Sequence, residues 1–279
     1  MAYIGLRKPI IGKRTGEGKY GEPFAMGKAI ALQVTPNYAE GGLNGDDYQI
    51  EYDKEFNYAE VNLGTSEIPV IAHQDMFGHV VEEGENAVTM NANDESNYVG
   101  MGWISVEKNN NEKYFTGNFL CKAKFSEPSE DYETKGDSIT YKTPSISGRA
   151  LAEENGEWKK VKKFKTEAEA LAYIYEQFGY ENKKLTVKST ASATVVGNTK
   201  LTVTPTKEGA NVYYYKTGKT ISLIPQYNEV CNEKTGWKKW DGTAEVAATN
   251  GDELVMVEVT AESNKARGTG KVTVQSKTA

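Results

Sequence analysis

The sequence predicts a mainly β protein in two parts. Residues 1–182 form a β-barrel or β-sandwich with one α-helix, and residues 183–279 form an immunoglobulin-like β-sandwich. Three observations predict this. Short segments alternating apolar and polar residues recur along the chain, separated by Gly, Asn and Asp turn signals. One stretch alone, 166–179, carries a strong helical period. The charge changes sign between the parts: 19 Lys+Arg against 30 Asp+Glu over 1–182, net -11, then 14 against 9 over 183–279, net +5.

Residues 1–24 are rich in Gly and Lys and lack periodicity, so they read as an irregular arm that a partner surface must order. AIALQVTP (29–36) places Ile30, Leu32 and Val34 on one face of a strand. NYAEGGLNGDD (37–47) reads as a long flexible loop. YQIEYDKEF then sets Ile50, Tyr52 and Phe56 against Glu51, Asp53 and Glu55. The apolar side is expected to enter the core. After a break at Asn57, EVNLG continues as a short strand, and 69–81 suits a short helix or a loop.

YVGMGWISVEK and EKYFTGNFLCKAKF predict a hairpin turning at Asn109-Asn110-Asn111. Residues 127–137 are polar and turn-rich, and a second hairpin is expected to turn at Glu154-Asn155-Gly156. The helix has a capping box in Thr166 and Glu169 and a C-terminal stop at Gly179. Its expected core stripe is Ala168, Leu171, Tyr175 and Phe178.

Beyond Lys183 about seven short Val/Thr-rich segments follow: LTVKST, TKLTVTP, NVYYYK, TISLIP, AEVAAT, LVMVEVTA and GKVTVQ. Pro225–Gly242 reads as an irregular surface loop. Cys121 and Cys231 lie too far apart in sequence for a metal motif or a disulfide framework, which makes a reducing compartment the expectation.

No motif assembles a catalytic site. Gly16, Gly18 and Gly21 match G-x-G-x-x-G but precede Pro23 and a strand, where a dinucleotide site needs a helix. Ser105–Lys108 and the Lys-Thr-Gly triplets at 216 and 234 lack the helix and the S-D-N of acylating serine enzymes. His73 and His79, six apart, do not share one helix face as zinc ligands would. Asn91, Asn93, Glu95 and Asn97 lack the Gly and the closing Glu of a calcium loop. Acid pairs (Asp46-Asp47, Glu82-Glu83, Glu153-Glu154) and the Lys159–Lys165 run read as solvated charge. No enzyme activity, cofactor or metal is expected. No apolar run approaches a membrane span, and MAYIGLRKPIIGKR lacks the h-region of a signal peptide. The 38% apolar content, with 17 Tyr, 8 Phe and 4 Trp, excludes global disorder.

MAYIGLRKPIIGKR, YGEPFAMGKAIALQVTPNYAEGGLNGDD and IEYDKEFNYAEVNLGTSEIP, in this order, resemble the major tail (tail tube) proteins of long, non-contractile-tailed bacteriophages. KGDSITYKTPSISGRA and TEAEALAYIYEQFG fit the same pattern, and 183–279 is similar to the immunoglobulin-like domains appended to such proteins. The resemblance implies a tail-tube-type fold and a structural virion protein of the tail, assembled in the host cytoplasm. Its subunits would form stacked homo-hexameric rings. The partners implied are a tape-measure protein, tail terminator and tip proteins, and viral DNA passing without specific binding; no membrane is implied. Under it, Tyr38, Glu40, Asn44, Asp46 and Asp47 belong to a ring-stacking loop, and Glu51, Asp53 and Glu55 face the lumen. The net -11 of 1–182 fits a conduit that repels phosphates. A cell-surface or carbohydrate-binding sandwich, with Tyr and Trp supplying stacking faces and the immunoglobulin-like domain as the module, is the alternative.

Overall fold

The computed structural model describes residues 2–82, 87–110, 112–129, 133–134, 142–221 and 224–278. The chain is mainly β, 55% strand against 8% helix, as expected, with two α-helices rather than one. Contacts divide it into Met1–Gly179 and Tyr180–Ala279.

The first unit contains β1 (Ala2–Gly16), β2 (Lys19–Tyr20), β3 (Phe24–Ala25), β4 (Ala29–Gly45), β5 (Tyr48–Thr65) and α1 (Val70–Asp75). Then come β6 (Val80–Glu82), β7 (Ala87–Thr89), β8 (Tyr98–Asn109), β9 (Glu112–Phe125), β10 (Ser145–Leu151), β11 (Lys159–Phe164) and α2 (Glu167–Gln177). Nine strands form one open sheet, in the order β2-β1-β8-β9-β10-β5-β4, with β11 beside β9 and β3 beside β1. Among the described residues it does not close into a barrel.

Two expectations are corrected here. The first 24 residues are no loose arm: β1 pairs with β8 from Ala2↔Lys108 to Lys13↔Val99. Ile10 and Ile11 are buried, and Arg14 grips the buried Glu153 through two bonds of 2.9 and 2.6 Å. Aperiodic sequence hid the strand because Arg7/Ile10 is an irregularity in the register, around Pro9, which has no N–H to give. The second expected hairpin also differs. β10 and β11 do not pair with each other; both run along one edge of β9, at 122–125 and 115–120. Residues 152–158 leave that edge as an excursion, and the Cys121 N–H bonds the Trp158 carbonyl at 3.0 Å to resume the ladder. Residues 135–141 and Asn111, on which parts of these readings fell, lie outside the described residues.

The two sheet faces are used differently. On one, Val61, Leu63, Met101, Leu120, Phe125 and Ile146 make the main core with α1 and Met26. The other face is paved with glycine where α2 and Tyr20 sit. A Cβ on Gly102 would lie 2.2 Å from Ile174 Cγ2, and one on Gly117 would lie 2.8 Å from Tyr173 Cδ1. The capping box is present as predicted, and Gly179 has φ 87°. The buried stripe is displaced from expectation: Ala170, Ile174, Tyr175 and Phe178 are buried, while Ala168 and Leu171 are half-buried.

The second unit contains β12 (Lys183–Lys184), β13 (Thr186–Ala191), β14 (Asn198–Thr204), β15 (Val212–Gly218), β16 (Lys238–Trp240), β17 (Val246–Ala247), β18 (Glu253–Val259) and β19 (Ala266–Thr273). Sheets β12-β19-β18-β15-β16 and β13-β14-β17 form a sandwich. Leu201, Val203, Tyr213, Trp240, Leu254 and Met256 pack into one core. Six of the seven expected strands are present; TISLIP is not one in its described residues, and Ser222 and Leu223 lie outside them. The expected surface loop 225–242 instead covers a second core on the far side of β15 and β18, burying Cys231 and Trp237 against Tyr214 and Val257. That requirement explains why LVMVEV reads as nearly continuous apolar sequence: β18 is buried on both faces.

Candidate functional site: a projecting hairpin

Residues 37–47 are not a loop. β4 and β5 pair from Ala29↔Thr65 to Gly45↔Tyr48, and the turn is the two residues Asp46-Asp47 at φ 48° and 65°. Positive φ at both central residues matches the twist of the flanking strands, and short Asp side chains tolerate it. At its base the hairpin belongs to the sheet, because β10 pairs with β5 from Ala59 to Gly64. There Ala59, Val61 and Leu63 are fully buried. Beyond Tyr58, β5 has no partner but β4 among the described residues. A two-stranded arm of about eight residue pairs continues, roughly 25 Å at the usual rise per residue.

The arm is rooted by aromatics. Trp158 stacks on Phe56 at 4.7 Å between centroids, and Phe56 meets Tyr38 edge-on at 6.1 Å. Register gives each face its residues, since directly opposed positions share a face. One face holds Tyr38/Phe56, Glu40/Lys54 and Gly42/Tyr52. On it, Lys54 Nζ lies 2.7 Å from Glu40 and 4.4 Å from the Tyr38 centroid. That ammonium and the Tyr52 hydroxyl hold the Glu40 carboxyl below its ordinary pKa, and Glu40 raises Lys54 in return. The other face holds Ala39/Glu55, Gly41/Asp53 and Leu43/Glu51. Three carboxylates stand there opposite small residues and one leucine.

Glu51, Asp53 and Glu55 therefore share a face, and all are exposed. The ground for turning that face toward a lumen is not met, however. Ile50 and Tyr52 were expected in the subunit core and are 59% and 53% exposed. Among the described residues no third strand or helix covers the arm. Of the stacking-loop residues, Tyr38, Glu40 and Asn44 lie on β4, and Asp46 and Asp47 form the turn. Sequence reasoning missed Leu43 and Tyr48, which with the misplaced Ile50 give the arm exposed apolar surface. The signal that could have found them is the length of YQIEYDKEF, which needs an equally long partner strand.

His79 is buried, with Nδ1 2.9 Å from Asp94 Oδ2 and Nε2 3.2 Å from Glu127 Oε1. It and His73 line a cavity of about 790 Å³ with Phe77 and Met90. The Asn91 backbone N–H and His79 hold the Asp94 carboxyl below its ordinary pKa. Among the described residues no three His, Cys, Asp or Glu side chains group as metal ligands. No helix among them is long and apolar enough to cross a membrane. Gly16 ends β1, Gly18 lies in the β1–β2 turn and Gly21 follows β2. In the second unit Tyr213, Tyr214, Trp237 and Trp240 are buried, so they are not the stacking faces that carbohydrate binding would use.

No protein-family model matches this chain, and no curated protein matches it. Among solved structures it is similar to domains 7, 8 and 9 of the S-layer protein SbsC, with 14% identity and a TM-score of 0.31 over 93% of this chain and 69% of that one. A likeness at that level carries no functional argument.

Proposed function

We propose that this chain is a structural, non-enzymatic subunit of a bacteriophage tail tube, built to polymerise with copies of itself in stacked rings. The observation that carries the reading is the arm. A two-stranded ribbon that leaves Leu43, Tyr48, Ile50 and Tyr52 in water gains nothing for its own subunit, and burying it against a neighbour would recover that apolar area. The open sheet supports the same reading. β4 is an edge strand 17 residues long with one side unpaired, which in an isolated subunit is an invitation to pair with another chain. Order and spacing of the segments that resemble tail tube proteins supply the class of assembly. In this reading the net -11 of residues 1–182 keeps passing DNA from adhering, and tape-measure, terminator and tip proteins are its partners in the virion.

The test is negative-stain microscopy of the purified chain beside a variant whose arm is cut back, with residues 40–54 replaced by Asn-Gly. The full chain forms rings or tubes. The shortened chain keeps its thermal transition and stays dispersed. Tubes from the shortened chain, or a full chain that stays monomeric at all concentrations and salts, would defeat the proposal.

A further inference from the structure

We infer that the acidic stripe Glu51, Asp53 and Glu55 of one copy docks in a basic groove formed by β8, β9 and β10 of a second copy; the inference rests on the self-assembly reading above. The groove is a depression of about 740 Å³ lined by Tyr98, Lys124, Ser147, Arg149 and Glu60. Gly148 also lines it. Register puts Arg149 between Lys124 on one side and Glu60 on the other, and Lys122 lies two residues from Lys124 on the same strand face. Like charges directly opposed across strands destabilise a sheet. Here they are parked on aromatic rings: Lys122 and Lys124 Nζ lie 4.9 and 5.4 Å from the Tyr98 centroid, and Arg149 lies 4.3 Å above Tyr58. No carboxylate of a described residue comes within 4.0 Å of any of the three, Glu60 included.

The stripe is the matching element. Its carboxylates repeat every second residue, about 6.7 Å apart, the same interval as Lys122 to Lys124. None of the three is within ion-pair distance of a described cation. Ala39 and Gly41 opposite them leave room for long Lys and Arg side chains to approach. A subunit's own stripe cannot reach its groove, since Glu55 stands five residues, about 17 Å, further along the strand from Glu60, the residue opposite Arg149 in register. The occupant is therefore a second copy, and one stripe meeting one groove is a heterologous contact of the kind that propagates into rings or filaments.

The experiment is charge exchange in the full-length chain, read by sedimentation velocity and negative stain at low and at 0.5 M salt. Lys124→Glu with Arg149→Glu, or Glu51→Lys with Asp53→Lys and Glu55→Lys, each lowers the assembled fraction about tenfold or more at low salt. The two sets combined restore assembly. Circular dichroism shows that each variant is folded. Where Lys124→Glu with Arg149→Glu is not, Lys124→Gln with Arg149→Gln is used, and the expected result is loss of the salt dependence of assembly. Assembly unchanged by either set, or not restored by the combination, overturns the inference and leaves the self-assembly reading in place. A wild-type chain that never assembles defeats both.

Discussion

The base and the arm of the β4–β5 hairpin have the same backbone ladder and opposite fates. At the base every second residue of β5 is fully buried, Ala59, Val61 and Leu63 among them. On the arm, Ile50 and Tyr52 alternate with acids in the same way and stay in water. Alternation is identical in both; the neighbour differs. β10 and the main core lie against the base, and no other element of the described subunit lies against the arm. An amphipathic strand thus fixes which residues share a face, and only the packing partner decides whether that face is a core or an interface.

The comparison is tested first by deleting apolar bulk in each half. Leu63→Ala should cost about 2–5 kcal/mol, because it empties part of a closed core. Ile50→Ala should stay within about 0.5 kcal/mol in the unassembled subunit. Urea unfolding of both variants measures this. Equal losses would mean that the arm packs on its own subunit in solution. A smaller effect is expected on the opposite sheet face. Gly102→Ala places a methyl against Ile174 and should cost about 1–3 kcal/mol, visible as a lowered thermal midpoint that Ile174→Val partly recovers.

Acid separates the buried pair from the arm's pair. Lys163 Nζ at 2.6 Å and the Thr116 hydroxyl at 2.6 Å hold the buried Glu107 carboxyl below its ordinary value. A depressed carboxyl contributes stability above its unfolded pKa, near 4.5, and that contribution is lost as pH falls through the lower folded value. Wild type should therefore lose more stability between pH 5 and about 2 than Glu107→Gln does. Glu40→Gln, at a solvated pair, should leave the profile of the unassembled subunit unchanged. Denaturant midpoints across that range decide it, and coincident profiles for wild type and Glu107→Gln would remove the assignment.

The smallest effect concerns the thiols. Burial pushes Cys121 up to about 11 and Cys231 up to about 12. Neither should alkylate at pH 8 in the native chain. Each lies in a different unit, so labelling during a urea titration should report the two unfolding events separately. Simultaneous labelling would show that the units unfold as one.

Much of the fold was legible. The capping box of α2, the β8–β9 hairpin and most strands of the second unit follow from local pattern, because local chemistry decides them. The arm was not, because Gly41, Gly42, Asn44 and Gly45 have the composition of a loop and are held as strand only by pairing with β5. β1 was hidden for the same reason, its order coming from β8. β10 and β11 look like a hairpin in sequence, since a seven-residue excursion and a turn have the same residues. For the site, alternation put Glu51, Asp53 and Glu55 on one face. It was silent on Lys124 and Arg149, which come together only across two strands of distant sequence.

Of the three register irregularities in the β4–β5 pairing, the one at Asn37/Tyr38 gives the arm mechanical meaning. It lies where the ribbon leaves the sheet, and a bulge there interrupts the ladder and bends the strand. A tilt of about 10° there moves a tip about 25 Å away by roughly 4 Å, while the base, clamped by β10, does not move. The hairpin is in this sense a leaf spring clamped at one end. Copies linked through such springs could be tilted slightly with respect to one another, each joint absorbing a few ångströms of strain, with no core in any subunit deformed.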